Sequence, residues 1–194
     1  MPEEKTLAFV DIETTGLLPG VHEITEIGIV IARESAAGKG AVPKKEREIA
    51  LKVRPVRIED ADPRALSVSH YDGEVWEREA VSLREAMDVF ARETKKATMV
   101  AHNVSFDWSF LSLAFSETGV KNEMDYHRLD TLSFAYALAR TGRIHPAGFS
   151  LAKLCAYFGI ENKKAHTALS DAKATYELYG RLFTAGGGDP RHRF

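Results

Sequence analysis

The chain has little cysteine and no long hydrophobic run, and each absence excludes a class of protein. The single cysteine, Cys155, can form neither an intrachain disulfide framework nor a multi-cysteine zinc site. No run of about 18 apolar residues is present to span a bilayer. Residues 1–4 are acidic, whereas a secretory signal would be basic and then apolar. We therefore expect a cytoplasmic protein with no membrane partner, in a compartment that keeps thiols reduced.

Glycine-rich phosphate loops and an excess of positive charge are also missing. Neither a GxGxxG nor a Walker sequence occurs, which counts against an ordinary nucleotide-binding α/β protein. The chain has 26 Lys and Arg against 28 Asp and Glu, a net charge of −2. This balance argues against a uniformly basic surface that coats duplex DNA. A local basic face that contacts a short length of nucleic-acid backbone is predicted at Arg140, Arg143, Lys163 and Lys164.

The length and composition are those of one globular domain. The chain has 194 residues, of which 44 % are apolar, and it contains no internal repeat and no long low-complexity segment. We predict a single domain over residues 1–185. A flexible C-terminal tail over residues 186–194 is expected to follow it, because that segment opens with three glycines.

Hydrophobic periodicity predicts strands in the first third of the chain and helices afterwards. Strands are expected over Thr6–Glu13, Glu23–Arg33 and Glu46–Arg54, with a polar loop over Glu34–Lys45 between the last two. Short connections between successive strands favour an antiparallel meander. Helices are predicted over Ser82–Thr94, Phe106–Glu117, Leu132–Arg140, Leu151–Phe158 and Ala168–Phe183, and short strands over Thr98–His102 and Leu129–Thr131. This order predicts an α/β fold with a mixed sheet.

The segment FVDIETTG, residues 9–16, carries two carboxylates at the end of an apolar strand. Because alternate side chains of a strand share a face, Asp11 and Glu13 are expected to point the same way, about 7 Å apart. Buried unpaired charge is costly, and hard divalent cations such as Mg²⁺ bind carboxylate oxygens. The pair therefore predicts a metal site. The alternative at this point is that the strand ends here and both acids face solvent.

Two later segments place acidic residues where helices begin. Asp107, in HNVSFD, follows the fourth predicted strand, a junction at which α/β proteins bind ligands. The alternative is an aspartate that the helix dipole favours. In HTALSDA, residues 166–172, Asp171 is expected in the first turn of the last helix and His166 in the loop before it. His166 alone could equally be a capping or surface residue, so the indication of function comes from the three segments together.

Together these segments resemble the motifs of the DEDDh 3′–5′ exonucleases, the family typified by the proofreading subunit of bacterial replicative DNA polymerases. DIETTG is similar to the first motif, NVSFD to the second and HTALSDA to the third. The likeness runs from Thr6 to about Leu182 and includes Asp130-Thr131-Leu132. The resemblance implies an RNase H-like mixed sheet, an antiparallel three-strand meander plus parallel strands, flanked by helices.

The resemblance also implies a role for each motif residue. Two divalent metal ions, Mg²⁺ or Mn²⁺, would be bound by Asp11, Glu13, Asp107 and Asp171. These four residues and the general base His166 would be catalytic. Substrate-binding roles are implied for Thr14, Thr15, Gly16, His70, His102, Asn103 and Phe106.

The implied reaction is hydrolysis of phosphodiester bonds from the 3′ end of single-stranded or frayed DNA, which releases nucleoside 5′-monophosphates. Two cations can stabilise the attacking and leaving oxygens and offset the charge of four carboxylates. A histidine suits proton removal from water near neutral pH. DNA is the favoured substrate. Two alternatives stay open, a ribonuclease that trims short RNA or tails, since no residue reports on the 2′-hydroxyl, and a proofreading subunit with DNA polymerase as its partner.

Overall fold

A five-stranded mixed sheet forms the centre of the protein in the computed structural model, which describes residues 5–34, 42–162 and 165–187. The strands are β1 (Thr6–Thr14), β2 (Ile24–Arg33), β3 (Lys44–Lys52), β4 (Thr98–Ala101) and β5 (Arg128–Asp130). They lie in the order β3-β2-β1-β4-β5. The first three strands pair antiparallel, whereas β4 pairs parallel with β1 and β5 parallel with β4. The predicted mixed sheet with its meander is confirmed.

Seven α-helices and one short 3-10 helix (Ile58–Asp60) are described, and five of the α-helices were predicted. The seven α-helices are α1 (Pro63–Val68), α2 (Gly73–Glu79), α3 (Leu83–Glu93), α4 (Val104–Thr118), α5 (Thr131–Arg140), α6 (Leu151–Phe158) and α7 (Ala168–Gly186). Helices α1 and α2 were not predicted, although each has a recognisable start. Asp62 and Asp72 accept hydrogen bonds from the first backbone N–H groups of these helices, and a proline opens α1.

Some predicted boundaries differ from the structure. Strand β3 begins and ends two residues before the predicted Glu46–Arg54 segment, and Val53 forms a bridge to Val81 instead. Most of the predicted loop, residues 35–41, lies outside the described residues. So does most of the predicted tail, because α7 continues to Gly186 and the description ends at residue 187. The predicted domain over residues 1–185 stays a prediction.

The two faces of β1 pack against different helices. Ala8, Val10 and Ile12 belong to the buried cluster that includes side chains of α3 and α4. Leu7 and Phe9 point to the other face, where Phe9 makes edge contacts with Tyr176 and Tyr179 of α7 at ring distances of 5.2 and 5.3 Å. Since side chains alternate, the later positions Asp11 and Glu13 continue the α7 face. None of the described helices is long and apolar enough to cross a membrane.

Candidate active site

The end of β1 presents two carboxylates toward α7. Asp11 lies opposite Gly28 of β2, and Glu13 lies opposite Glu26. The pairing with β2 shifts register directly after Glu13 and continues with Thr14 opposite Ile24. The pairing is regular from Asp11 to Glu13, so these two side chains point to the same face of the sheet, as predicted.

Asp107 reaches the same place from the other side of β1. Its Oδ1 atom accepts a hydrogen bond from the backbone N–H of Ile12 at 3.1 Å, and the side chain is buried. Before α4 the chain turns through Asn103, whose φ of 67° is left-handed. Asp130, at the start of α5, accepts hydrogen bonds from the N–H groups of Asn103 and Val104 at 2.8 and 3.4 Å. Asp130 thus joins the beginnings of α4 and α5 and fixes the turn that delivers Asp107.

Asp171 lies in the first turn of α7, and both of its carboxylate oxygens are held by the preceding loop. The backbone N–H of His166 donates to Oδ2 at 3.0 Å, and the Asn162 side-chain amide donates to Oδ1. Asn162 in turn accepts a hydrogen bond from the Ser170 hydroxyl at 2.7 Å. His166 has a left-handed φ of 67°, and its side chain is exposed. The loop therefore orients Asp171 while it leaves the imidazole accessible.

The acidic side chains converge closely enough to alter one another's ionisation. Burial raises the pKa of Glu13 from 4.5 to about 8, and the charges of Asp171 and Glu26 add to the shift. Burial likewise raises the pKa of Asp107 to about 8 despite the hydrogen bond from Ile12. The pKa of Asp11 is well above its usual range through burial, reinforced by the charges of Asp107, Asp171 and Glu13. Protein groups alone do not stabilise this cluster in its charged form.

A divalent cation fits this cluster. Glu13, His166 and Asp171 each offer one ligand atom, and these three atoms lie within 4.8 Å of one another. Asp11 and Asp107 add carboxylates whose pKa is raised chiefly by burial and further by neighbouring negative charge. Carboxylate oxygens are the ligands that Mg²⁺ and Mn²⁺ prefer. The five residues predicted as catalytic are thus brought to one end of the sheet.

The predicted substrate-binding residues Thr14, Thr15 and Gly16 form a tight turn beside the carboxylates. The Thr14 hydroxyl donates to the Gly16 carbonyl at 2.6 Å, and the Thr15 hydroxyl accepts from the backbone N–H of Glu23 at 2.9 Å. Gly16 packs against His22, whose ring would lie 2.4 Å from a Cβ at that position. Both hydroxyls therefore shape the turn from within.

Both nitrogens of the His102 ring make hydrogen bonds within the protein. Its Nε2 lies 2.8 Å from the Phe149 carbonyl and its Nδ1 lies 3.0 Å from the Thr131 hydroxyl. A carbonyl can only accept, so Nε2 carries the proton of the neutral ring. The Thr131 hydroxyl has one proton, which it can donate to Nδ1 or to the Ala101 carbonyl at 3.3 Å. Burial lowers the pKa of His102, which favours this neutral form. In the structure both ring nitrogens have partners within the protein, and the nucleotide contact of His102 stays a prediction.

The remaining predicted binding residues are less constrained. Asn103 is exposed, and Phe106 is half-buried against Phe110 at a ring distance of 5.2 Å. His70 is exposed at the end of the α1 segment, which a backbone hydrogen bond from Asp62 to Thr15 holds beside the β1 turn. Within the described part of the chain no hydrogen bond joins His70 to the carboxylates.

The predicted basic face is only partly described. Lys163 and Lys164 lie outside the described residues. Arg143 donates to the carbonyl of Gly186 at 2.9 Å, at the C-terminus of α7. At 1.5 Å per residue this point is about 22 Å along the helix from Asp171. Arg143 therefore supports the end of α7 that is remote from the cluster.

Three residues that shape the site were missed from the sequence. Asn162 orients Asp171, and Gly28 and Glu26 of β2 face the first turn of α7. A signal existed for Glu26, because it interrupts the apolar strand ITEIGIVIA with a charge. Asn162 lies in a polar loop, where sequence offers no sign of its partner.

A carboxylate cluster with an adjacent histidine, at the end of a mixed sheet, defines a candidate metal-binding hydrolase. Comparison with known proteins narrows this class, since a family model for exonucleases of the RNase T type matches residues 8–179. The chain belongs to this family, and the resemblance to DEDDh-type 3′–5′ exonucleases is confirmed. It is therefore a 3′–5′ exonuclease enzyme.

Two sequence relatives and one solved structure illustrate the likeness. Ribonuclease T of Buchnera aphidicola subsp. Baizongia pistaciae is 28 % identical over 200 residues, covering 93 % of this chain and 87 % of that protein. A PolC-type DNA polymerase III of Thermotoga petrophila is 29 % identical over 181 residues, covering 93 % of this chain and 12 % of the polymerase. E. coli Exonuclease I in complex with a dT13 oligonucleotide matches with a TM-score of 0.77 at 18 % identity. That match covers 93 % of this chain and 41 % of Exonuclease I, and it confirms the RNase H-like fold.

Proposed function

We propose that this protein removes nucleotides from the 3′ end of single-stranded or frayed nucleic acid, with DNA as its main substrate, and releases nucleoside 5′-monophosphates. The observation that carries the proposal is the convergence of Glu13, His166 and Asp171 within 4.8 Å, beside the buried carboxylates of Asp11 and Asp107. The exonuclease family supplies the reaction class.

The roles proposed for the residues follow from their chemistry. Two divalent ions, Mg²⁺ or Mn²⁺, would be held by Asp11, Glu13, Asp107 and Asp171. When bound, they would offset the negative charge of the cluster and of the phosphate oxygens. His166 takes a proton from the attacking water, because its imidazole is exposed beside the ligand atoms. The Thr14–Gly16 turn and Phe106 contact the terminal nucleotide.

Product analysis on matched oligomers tests this proposal. Single strands labelled at the 3′ or the 5′ end are incubated with Mg²⁺, Mn²⁺ or EDTA. The 3′ label should leave first as a monophosphate, and EDTA should abolish the reaction. Full activity in EDTA, or cleavage of a circular single strand, would overturn the proposal.

RNA is the second candidate substrate, and the similarity to proteins named Ribonuclease T favours it. The oligonucleotide in the Exonuclease I structure is dT13, which favours DNA. DNA and RNA oligomers of the same sequence, compared by kcat/KM, separate the two. A higher value for RNA would replace DNA in the proposal.

Association with a DNA polymerase is a further candidate, because the PolC-type polymerase contains a region similar to this chain. A polymerase partner predicts faster excision of a mismatched primer end when polymerase and exonuclease are mixed. Equal rates with and without polymerase would contradict it. We also propose the cytoplasm as the location, in keeping with the free buried thiol of Cys155.

A further inference from the structure

The first turn of α7 approaches β2 more closely than a side chain would allow. A Cβ atom at Gly28 would lie 2.2 Å from the carbonyl carbon and oxygen of Ala168 and 2.3 Å from the backbone nitrogen of Leu169. Only glycine leaves room for this contact. Because Gly28 lies opposite Asp11, the start of α7 passes next to the carboxylate cluster.

Glu26 makes a second contact between β2 and the same helical turn. It lies opposite Glu13, and its Oε2 atom accepts a hydrogen bond from the Ala168 N–H at 3.1 Å. The first N–H groups of a helix lack partners within the helix, and the positive end of the helix dipole favours a carboxylate there. Glu26 therefore caps α7 from a neighbouring strand.

Apart from this hydrogen bond, burial and neighbouring carboxylates make the location of Glu26 unfavourable for a negative charge. Glu26 is half-buried beside Glu13, and its charge also reaches Asp11. Like charges at such a place repel one another. Two contacts compensate. The Ala168 N–H, three residues before Asp171 in α7, donates a hydrogen bond to Glu26, and the positive charge of Lys52 lies opposite Glu26 on β3.

We propose that Glu26 is a positioning residue, which together with Gly28 fixes the first turn of α7 so that Asp171 faces Asp11 and Glu13. The inference rests on the metal centre proposed above, in which Glu26 is not a ligand. Its part in positioning is to accept the hydrogen bond from Ala168, which a neutral oxygen can also do.

Two substitutions separate the hydrogen bond from the charge. Glu26→Gln keeps an oxygen that accepts from Ala168 and removes the charge, whereas Glu26→Ala removes both. We expect Glu26→Gln to bind Mn²⁺ within about threefold of wild type, and Glu26→Ala to bind about 10- to 100-fold more weakly, as when an outer partner of a ligand is lost. Glu46→Ala is the matched control, because Glu46 is paired with Arg33 at the far end of the sheet.

The measurement is calorimetric titration of the metal-free full chain with Mn²⁺, after circular dichroism has shown that each variant is folded. Unchanged affinity in Glu26→Ala overturns the inference, and so does an equal loss in Glu26→Gln, which would make the charge the active feature. Gly28→Ala provides a second variant if Glu26→Ala does not fold. It keeps Glu26 but displaces α7, so its affinity must also fall, and an unchanged value overturns the inference.

Measurements on wild type and Asp171→Asn distinguish failure of the positioning role of Glu26 from failure of the proposed function. If wild type does not bind Mn²⁺, the proposed metal centre is wrong, and the positioning role is wrong with it. If wild type binds, Asp171→Asn does not and Glu26→Ala binds normally, only the positioning role fails.

Discussion

The Asp107 carboxylate accepts a hydrogen bond from the backbone N–H of Ile12, 95 residues earlier in the chain. Strand β1 pairs with β4 only as far as Phe9, so the later N–H of Ile12 has no strand partner on that side. Asp107 takes that place with one oxygen. Because Ile12 lies between Asp11 and Glu13, this bond sets the distance between α4 and both acids.

Asp107 accepts a hydrogen bond from Ile12 and is also a proposed metal ligand. Its contribution to stability can therefore be measured separately from its contribution to activity. Asp107→Asn keeps an oxygen that accepts from Ile12 but removes the negative charge. We expect stability close to wild type and a loss of activity of at least about 100-fold, because a ligand of the proposed centre is weakened. Urea unfolding and oligomer hydrolysis check the two halves.

Asp88→Asn, an identical change on the exposed surface of α3, is the control and should leave both properties unchanged. A fully active Asp107→Asn variant would remove Asp107 from the metal centre.

The raised pKa values predict how the stability of the metal-free protein depends on pH. Glu13 and Asp107 have ordinary values of 4.5 and 3.8 when unfolded and about 8 when folded. Between these values the folded state binds more protons, so stability is greatest at low pH and falls as pH rises toward about 8. A bound cation replaces the protons and should cancel the loss.

Urea midpoints at about pH 5.5 and pH 8.5, in EDTA and in Mg²⁺, measure this effect. Glu13→Gln should be more stable than wild type at the higher pH in EDTA, because it has no charge to bury. Midpoints in EDTA that do not change with pH would contradict the prediction.

The sequence predicts those parts of the site whose interacting residues lie close together along the chain. The positions of Asp11 and Glu13 follow from strand alternation, and the start of the helix predicted over Ser82–Thr94 follows from a local pattern, the capping box that Ser82 and Glu85 form. The approach of Ala168 to Gly28 was not predictable, because it depends on packing between segments 140 residues apart. Likewise, no local pattern distinguishes a His102 ring that binds Phe149 and Thr131 from one that binds substrate.

His102 provides a prediction that separates these roles. His102→Ala removes the partner of the Phe149 carbonyl and one of the two partners of the Thr131 hydroxyl, so the free energy of unfolding should fall by about 1–3 kcal/mol. The KM of the folded enzyme should stay within about threefold of wild type. Thr131→Val keeps the bond between His102 and Phe149 but removes the hydroxyl's contacts with His102 and the Ala101 carbonyl, so it reports what those contacts contribute. A large rise in KM with unchanged stability would instead support the predicted substrate contact.

The last prediction concerns His166, whose ring lies among the ligand atoms of Glu13 and Asp171 while its backbone N–H holds Asp171. If the ring is the general base, its removal should keep metal affinity and lower the rate by about 10²- to 10⁴-fold. The remaining activity should rise with pH, since hydroxide replaces the base. If the ring is instead a ligand, metal affinity should fall together with the rate.

His166→Ala and His166→Gly are the variants to compare, because the backbone there is left-handed and glycine accepts that conformation without strain. Both lack the ring, so a difference between them reports on the loop and a shared loss reports on the imidazole. Asp11→Asn is the reference for a lost ligand and should lose metal binding and activity together. A His166→Gly enzyme with near wild-type turnover would show that the base lies elsewhere, since neither hydroxide nor the loop could replace it at neutral pH.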